Sequence, residues 1–325
     1  MLISRTPLRV SFLGGGTDLK EYYKNDFGAV ISTAINKYVY LTINGKFEND
    51  LRVKYSKTEN VESAEKLEHP IFREAMKFAG VTRGVEVTSM ADMPTRGSGL
   101  GSSSTFTVGL LNVLHKYKGQ NSEAEKLASE ACKIEIDVLK EPVGKQDQYA
   151  AAYGGFNYIK FNADESVSIE PVKAKKNVLQ ELENSMSLFY TGVERSASTI
   201  LTEQKKVSGQ GEKNKTLTEM REQATEAKKA IEKGDLNLFG DILNKGWELK
   251  KKLVGGITNS AIDAMYEKAR KAGATGGKIC GAGGGGFVLI YAPDGKIAKV
   301  REALKAHKEL RFKFEPEGSK IVFNG

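Results

Sequence analysis

Pro94-Thr95-Arg96-Gly97-Ser98-Gly99-Leu100-Gly101-Ser102-Ser103-Ser104 runs straight into a helical pattern of apolar residues at Phe106, Leu110, Val113, Leu114 and Tyr117. A glycine- and serine-rich loop that opens a helix offers unpaired backbone N–H groups and the positive end of the helix dipole, the chemistry that a phosphate seeks. The glycines let the backbone wrap an anion closely, and the hydroxyls donate to it or ligate a metal. A surface loop before a serine-capped helix would use the same residue types. No stretch supplies the Walker pattern Gly-x-x-x-x-Gly-Lys-Ser/Thr, because Gly144-Lys145 is followed by Gln146 and Gly277-Lys278 by Ile279.

A second glycine cluster, Gly276-Gly277-Lys278-Ile279-Cys280-Gly281-Ala282-Gly283-Gly284-Gly285-Gly286, leads into the apolar strand pattern Phe287-Val288-Leu289-Ile290-Tyr291. A dinucleotide fingerprint would open a helix instead, and a protein-kinase glycine loop would need far more chain than the 39 residues that follow Gly286. What remains is a glycine turn packed close to another backbone or to a substrate. At the start of the chain Leu8, Val10 and Phe12 alternate as one face of a strand, turning Arg9 and Ser11 the other way, before Gly14-Gly15-Gly16-Thr17-Asp18. Read alone, Arg9 is solvated, Asp18 is a turn or cap residue, and Asp147 starts a helix.

In order, these segments resemble the three motifs of the galactokinase, homoserine kinase, mevalonate kinase and phosphomevalonate kinase superfamily. Gly14 to Asp18, Gly144-Lys145-Gln146-Asp147-Gln148-Tyr149 and Tyr190-Thr191-Gly192-Val193-Glu194-Arg195-Ser196-Ala197-Ser198 look most like the bacterial D-glycero-D-manno-heptose 7-phosphate kinases. Galactokinases usually carry Gly-Glu-His-Thr-Asp where this chain has glycines. The resemblance implies ATP and Mg2+, with Pro94, Arg96, Gly97, Ser98, Gly99, Leu100, Gly101, Ser102, Ser103 and Ser104 binding nucleotide. It implies Asp147 as general base or hydroxyl-orienting group and Arg9 as the cation beside it. It gives Mg2+ to Ser103 and to Glu135, twelve residues before Asp147; the helical pattern puts Glu135 at the edge of an apolar face, in a helix opened by the capping box Ser122-x-x-Glu125.

The acceptor falls to Gly15, Gly16, Thr17, Asp18, Lys145, Gly192, Arg195, Gly283 and Gly284, with Arg195 as a clamp for the acceptor's own phosphate and Lys145 and Arg96 as further candidates. The implied reaction is ATP-dependent phosphorylation of the anomeric hydroxyl of D-glycero-D-manno-heptose 7-phosphate. Fucose and galactose kinases, a catalytically silent sugar and ATP sensor, and a diphosphomevalonate decarboxylase are the competing readings.

Composition agrees with such an enzyme. A chain of 325 residues exceeds the usual single core, and 40% hydrophobic residues are enough for two. The net charge of +8 sits mainly in lysine-rich helical stretches, including Lys250-Lys251-Lys252, without an aromatic platform for bases, so these read as solvated faces and no nucleic-acid partner is expected. No apolar run approaches the ~18 residues of a membrane span, no signal-peptide core follows Met1, and two cysteines imply no disulfide framework. These features read as a cytoplasmic protein, with small-molecule partners and room for a homodimer.

Strand patterns do not alternate regularly with single helices, which disfavours a doubly wound sheet and favours two α+β domains. The resemblance implies a ribosomal-protein-like N-terminal domain at 1–175 and a ferredoxin-like C-terminal domain at 176–325, with the active site in the cleft between them. Ser208-Gly209-Gln210-Gly211-Glu212-Lys213 reads as a mobile loop between helices.

Overall fold

The computed structural model describes residues 1–94, 97–193, 197–208 and 211–325. Its strands are β1 (Leu2–Leu13), β2 (Phe27–Gly45), β3 (Leu51–Lys54), β4 (Thr58–Val61), β5 (Val85–Ala91), β6 (Phe156–Asn162), β7 (Val167–Pro171), β8 (Met186–Tyr190), β9 (Gly276–Ile279), β10 (Phe287–Tyr291), β11 (Glu309–Leu310) and β12 (Lys320–Asn324). The larger sheet runs β12-β1-β2-β5-β3-β4, with β6 on β2 and β7 on β6. Its backbone is β2, rich in β-branched and aromatic residues over 19 positions. One edge of β2 pairs with β1; the other is shared, Phe27–Thr33 with β6 and Val39–Gly45 with β5. The one parallel ladder among the described strands is β3 with β5.

The second sheet, β11-β8-β10-β9, is antiparallel throughout. Chain order β8, helices, β9, β10, the helix Ile297–Ala303 and β11 gives the ferredoxin-like arrangement. The expected division at 175/176 needs one amendment. Lys320–Asn324 does not stay with the second unit; as β12 it pairs antiparallel with β1 and closes one edge of the first sheet.

The helix Ser102–Tyr117 packs on β1 and β2 and is buried along nearly its whole length. It can approach β1 because Gly109 has no side chain: a Cβ there would lie 2.7 Å from Thr6 Oγ1, and Ser4 Oγ donates to Gly109 O at 2.8 Å. That contact sets the helix N-terminus over the middle of β1. The capping box at Ser122 does not form. The helix Ala124–Cys132 follows Glu123 without a side-chain cap, and Glu125 instead accepts from Tyr149 Oη at 2.8 Å and Tyr153 Oη at 3.0 Å. It continues as a π-helical turn, Lys133–Val138, a rare geometry often found at functional sites.

Candidate active site

The two units meet around a cavity of about 210 Å³. Its floor is the loop before the helix Ser102–Tyr117, where Gly97, Gly99 and Gly101 have φ of 70°, 75° and 77°. These left-handed turns favour glycine, which has no Cβ to clash there. Among the described residues no side chain caps the helix at Gly101, which leaves its first N–H groups to point at an anion. Gly97, Ser98, Gly99, Gly101, Ser102, Ser103 and Ser104 all line the cavity. Pro94 is exposed and lies off it, while Leu100 is a core residue whose carbonyl accepts from Arg9 N at 3.1 Å. Arg96 falls outside the described residues.

The second glycine cluster braces this loop. A Cβ on Gly281 would lie 2.6 Å from Gly99 Cα, one on Gly286 2.4 Å from Gly97 O, so the close approach is backbone to backbone. Gly283 lines the cavity, but Gly284 does not, contrary to its expected place at the substrate: its N–H is spent on Ile257 O at 2.8 Å.

Arg9 is not solvated. It is 3% exposed and donates Nε and Nη2 to the two carboxylate oxygens of Asp147, each at 2.7 Å, and Nη1 to Gly99 O at 2.7 Å. One guanidinium therefore fixes Asp147, in the first turn of the helix Gln146–Tyr153, against the phosphate loop. Asp18 sits beside this pair. Its carboxylate accepts from Gly16 N at 2.9 Å and Gln146 N at 3.4 Å, and burial, with the Asp147 charge adding, raises its pKa. Gly144 is required there, since a Cβ would come within 2.0 Å of Asp18 Oδ2. Gly15 and Gly16 also line the cavity.

Other expected acceptor residues lie elsewhere. Thr17 is fully buried, and its hydroxyl bridges Gly14 O and Ala29 O as a brace of the turn after β1. Lys145 turns away from the cavity to Glu165 at 2.8 Å and lies over the Tyr23 ring, so its charge is already paired. Gly192 is exposed and outside the cavity wall, and Arg195 falls outside the described residues.

Glu135 is 2% exposed rather than at a rim, because the π-helical turn rotates it inward. Its carboxylate accepts from Thr107 Oγ1 at 2.6 Å, Ser104 Oγ at 2.7 Å and Gln148 Nε2 at 2.5 Å. Ser104, not the exposed Ser103, is thus the loop serine that meets it. Burial pushes its pKa up to about 7 despite those donors. Among the described residues no three His, Cys, Asp or Glu side chains cluster to hold a metal. One carboxylate among hydroxyls is nevertheless an all-oxygen set that fits Mg2+, which keeps waters and phosphate oxygens around it.

Two buried lysines of the cavity were given no place in the site by the sequence reading. Lys250 is 7% exposed and donates to Gly281 O; Lys278 is 5% exposed and donates to Ser11 O at 2.9 Å. Lys250 is no solvated lysine: it continues the buried stripe Leu236, Phe239, Leu243, Gly246 and Trp247 of the helix Leu236–Lys251, a spacing readable in the sequence.

Residues 61–155 match the model of the GHMP kinases N terminal domain and residues 227–310 that of the GHMP kinases C terminal region. The chain belongs to the GHMP kinases. As an ATP-dependent sugar kinase of that family it is 29% identical, over 98% of its length and 97% of the relative's, to the D-glycero-alpha-D-manno-heptose 7-phosphate kinase of Campylobacter jejuni. A D-glycero-D-manno-heptose 1-phosphate kinase from Bacteroides thetaiotaomicron superposes with a TM-score of 0.82 at 27% identity, covering 100% of both chains. The fold is also that of Lactococcus lactis galactokinase, with a TM-score of 0.78 at 19% identity over 98% of this chain and 94% of the other. No helix among the described residues is long and apolar enough to cross a membrane.

Proposed function

We propose that this GHMP kinase transfers the terminal phosphoryl group of ATP to the anomeric hydroxyl of D-glycero-D-manno-heptose 7-phosphate, giving the 1,7-bisphosphate. The observation that carries the reaction is the Arg9–Asp147 pair held on Gly99 of the loop. A carboxylate fixed within reach of a phosphate cradle, at the mouth of a helix, is what phosphoryl transfer to a hydroxyl asks of a protein. Asp147 takes the proton of the C1 hydroxyl or aims its lone pair, Arg9 holds Asp147, and Asp18 accepts from sugar hydroxyls. The backbone N–H groups at Gly101 to Ser104 hold the ATP phosphates. Glu135, with Ser103 and Ser104, would hold Mg2+, which supplies charge neutralisation on the phosphates.

The sugar rests on the chain-long similarity to heptose kinases. ADP release measured with a panel of sugars tests it. Turnover is expected with D-glycero-D-manno-heptose 7-phosphate, with a new anomeric phosphate signal by 31P NMR. Preference for fucose or galactose, or phosphate at another carbon, would overturn the assignment; binding without any ADP release would turn the reading to a sensor.

A further inference from the structure

Lys250 and Lys278 reach the cavity from the second unit, one at the end of the helix Leu236–Lys251 and one on β9. The two elements can track each other because Gly276 lies against Gly240, where a Cβ would be 2.5 Å from Gly240 O. Each ammonium is more than nine-tenths buried and bonded to a backbone carbonyl, and neither joins an ion pair among the described residues. An ammonium carries three donors, so N–H groups remain to be satisfied. Ser11, whose carbonyl takes the Lys278 bond, lines the same cavity with a buried hydroxyl that has no hydrogen-bond partner among the described residues.

Arg9, the other cation that lines the cavity among the described residues, is spent on Asp147, and Asp18 is the remaining carboxylate whose charge both lysines feel. Two buried cations with carbonyl partners alone cost stability unless an anion joins them. Burial accordingly holds both amines below the ordinary lysine value, Lys278 down to about 8.

We propose that Lys250, Lys278 and Ser11 form a seat for one phosphate dianion, beside the Gly97–Ser104 loop and built from the opposite unit. The site rests on the kinase reading only for the source of that phosphate: the acceptor's own phosphomonoester or the terminal phosphate of the nucleotide. The seat replaces Lys145, which is already paired to Glu165.

Isothermal titration of the whole protein with inorganic phosphate, with a non-hydrolysable ATP analogue, and with a sugar phosphate against its dephosphorylated form tests the seat. Lys250→Met and Lys278→Met keep the apolar stem and remove the charge. Each is expected to weaken inorganic phosphate by ~10-fold or more, as loss of a charge-assisted bond implies. Each should also leave Tm unchanged or raise it by ~2–4 °C, since an unpaired buried cation is relieved. Ser11→Ala, the gentlest change, should weaken phosphate about threefold. If the sugar phosphate loses affinity while the ATP analogue stays within twofold, the acceptor supplies the phosphate; the reverse assigns it to the nucleotide. Phosphate affinities unchanged in all three variants would overturn the seat, as would a lowered Tm in both lysine variants with phosphate affinity intact. Inorganic phosphate binding needs no turnover, so it reads the seat even if no sugar in the panel is phosphorylated.

Discussion

The two walls of the cavity hold their buried charges in opposite ways. On the first unit Arg9 and Asp147 satisfy each other bidentately and share the loop carbonyl of Gly99. On the second, Lys250 and Lys278 rest on carbonyls alone. A paired set is rigid before any ligand arrives and can orient a reacting group; an unpaired set stores electrostatic attraction that only a ligand releases. The comparison separates residues that act on the reacting bond from residues that hold charge near it.

The largest expected effect falls on the paired wall. Asp147→Asn keeps the shape and removes the base, so turnover should drop by ~10²- to 10⁴-fold while the Michaelis constant for ATP stays within a few fold. Turnover within threefold of wild type would take Asp147 out of proton transfer. Arg9→Met strips Asp147 of two charge-assisted donors and should cost ~1.5–3 kcal/mol in urea unfolding. Lys278→Met should cost none; equal losses in both variants would erase the difference between the walls.

The unpaired wall also answers to pH. Cys280, Arg9 and Asp18 face Lys278, as does Lys250 from the neighbouring helix, and burial lowers the Lys278 pKa to about 8. A phosphate dianion binds the protonated amine, so above pH 8 each bound anion must recruit a proton from solution. Affinity for inorganic phosphate should therefore fall with rising pH above 8, and Lys278→Met should lessen that slope, leaving the part that Lys250 carries. A slope unchanged in the variant would assign the titration elsewhere. The smallest effect is expected for Lys145→Gln. With its charge held by Glu165 outside the cavity, the acceptor's Michaelis constant should move less than twofold.

Much of this was legible in the chain, for reasons that differ by residue. The helix after Gly101 and the strand Phe287–Tyr291 stand where the apolar patterns put them, because glycines and a change of apolar period punctuate them. The Gly97–Ser104 loop was readable because its chemistry is local. Arg9 beside Asp147 came from the resemblance alone, since a strand pattern gives the face but not the carboxylate 138 positions away that meets it. Glu135 was misplaced by reading one α-helix through a π-helical turn, whose extra residue rotates every later side chain. Thr17 and Lys145 carried the right chemistry, but partners distant in sequence, Ala29 and Glu165, had already claimed it. Lys250 was hidden by its own neighbours: a lysine run invites the solvated reading, and only the stripe ending at Trp247 argues otherwise.

The pairing of β12 with β1 also sets a schedule. β1 finds β2 within a few tens of residues, but its other neighbour is made far later, at a separation that joins Leu2 to Asn324. During synthesis at ~5–20 residues per second, the stretch from β2 to β12 takes roughly 15–60 s. Over that interval the Leu2–Arg5 stretch of β1, in the strand that carries Arg9, stands with one edge of N–H and C=O groups unpaired. The strand that carries Arg9 thus has an edge open to wrong partners while the chain is young. Cooperative closure of the first sheet has to wait for Lys320–Asn324, whatever the second unit has already achieved.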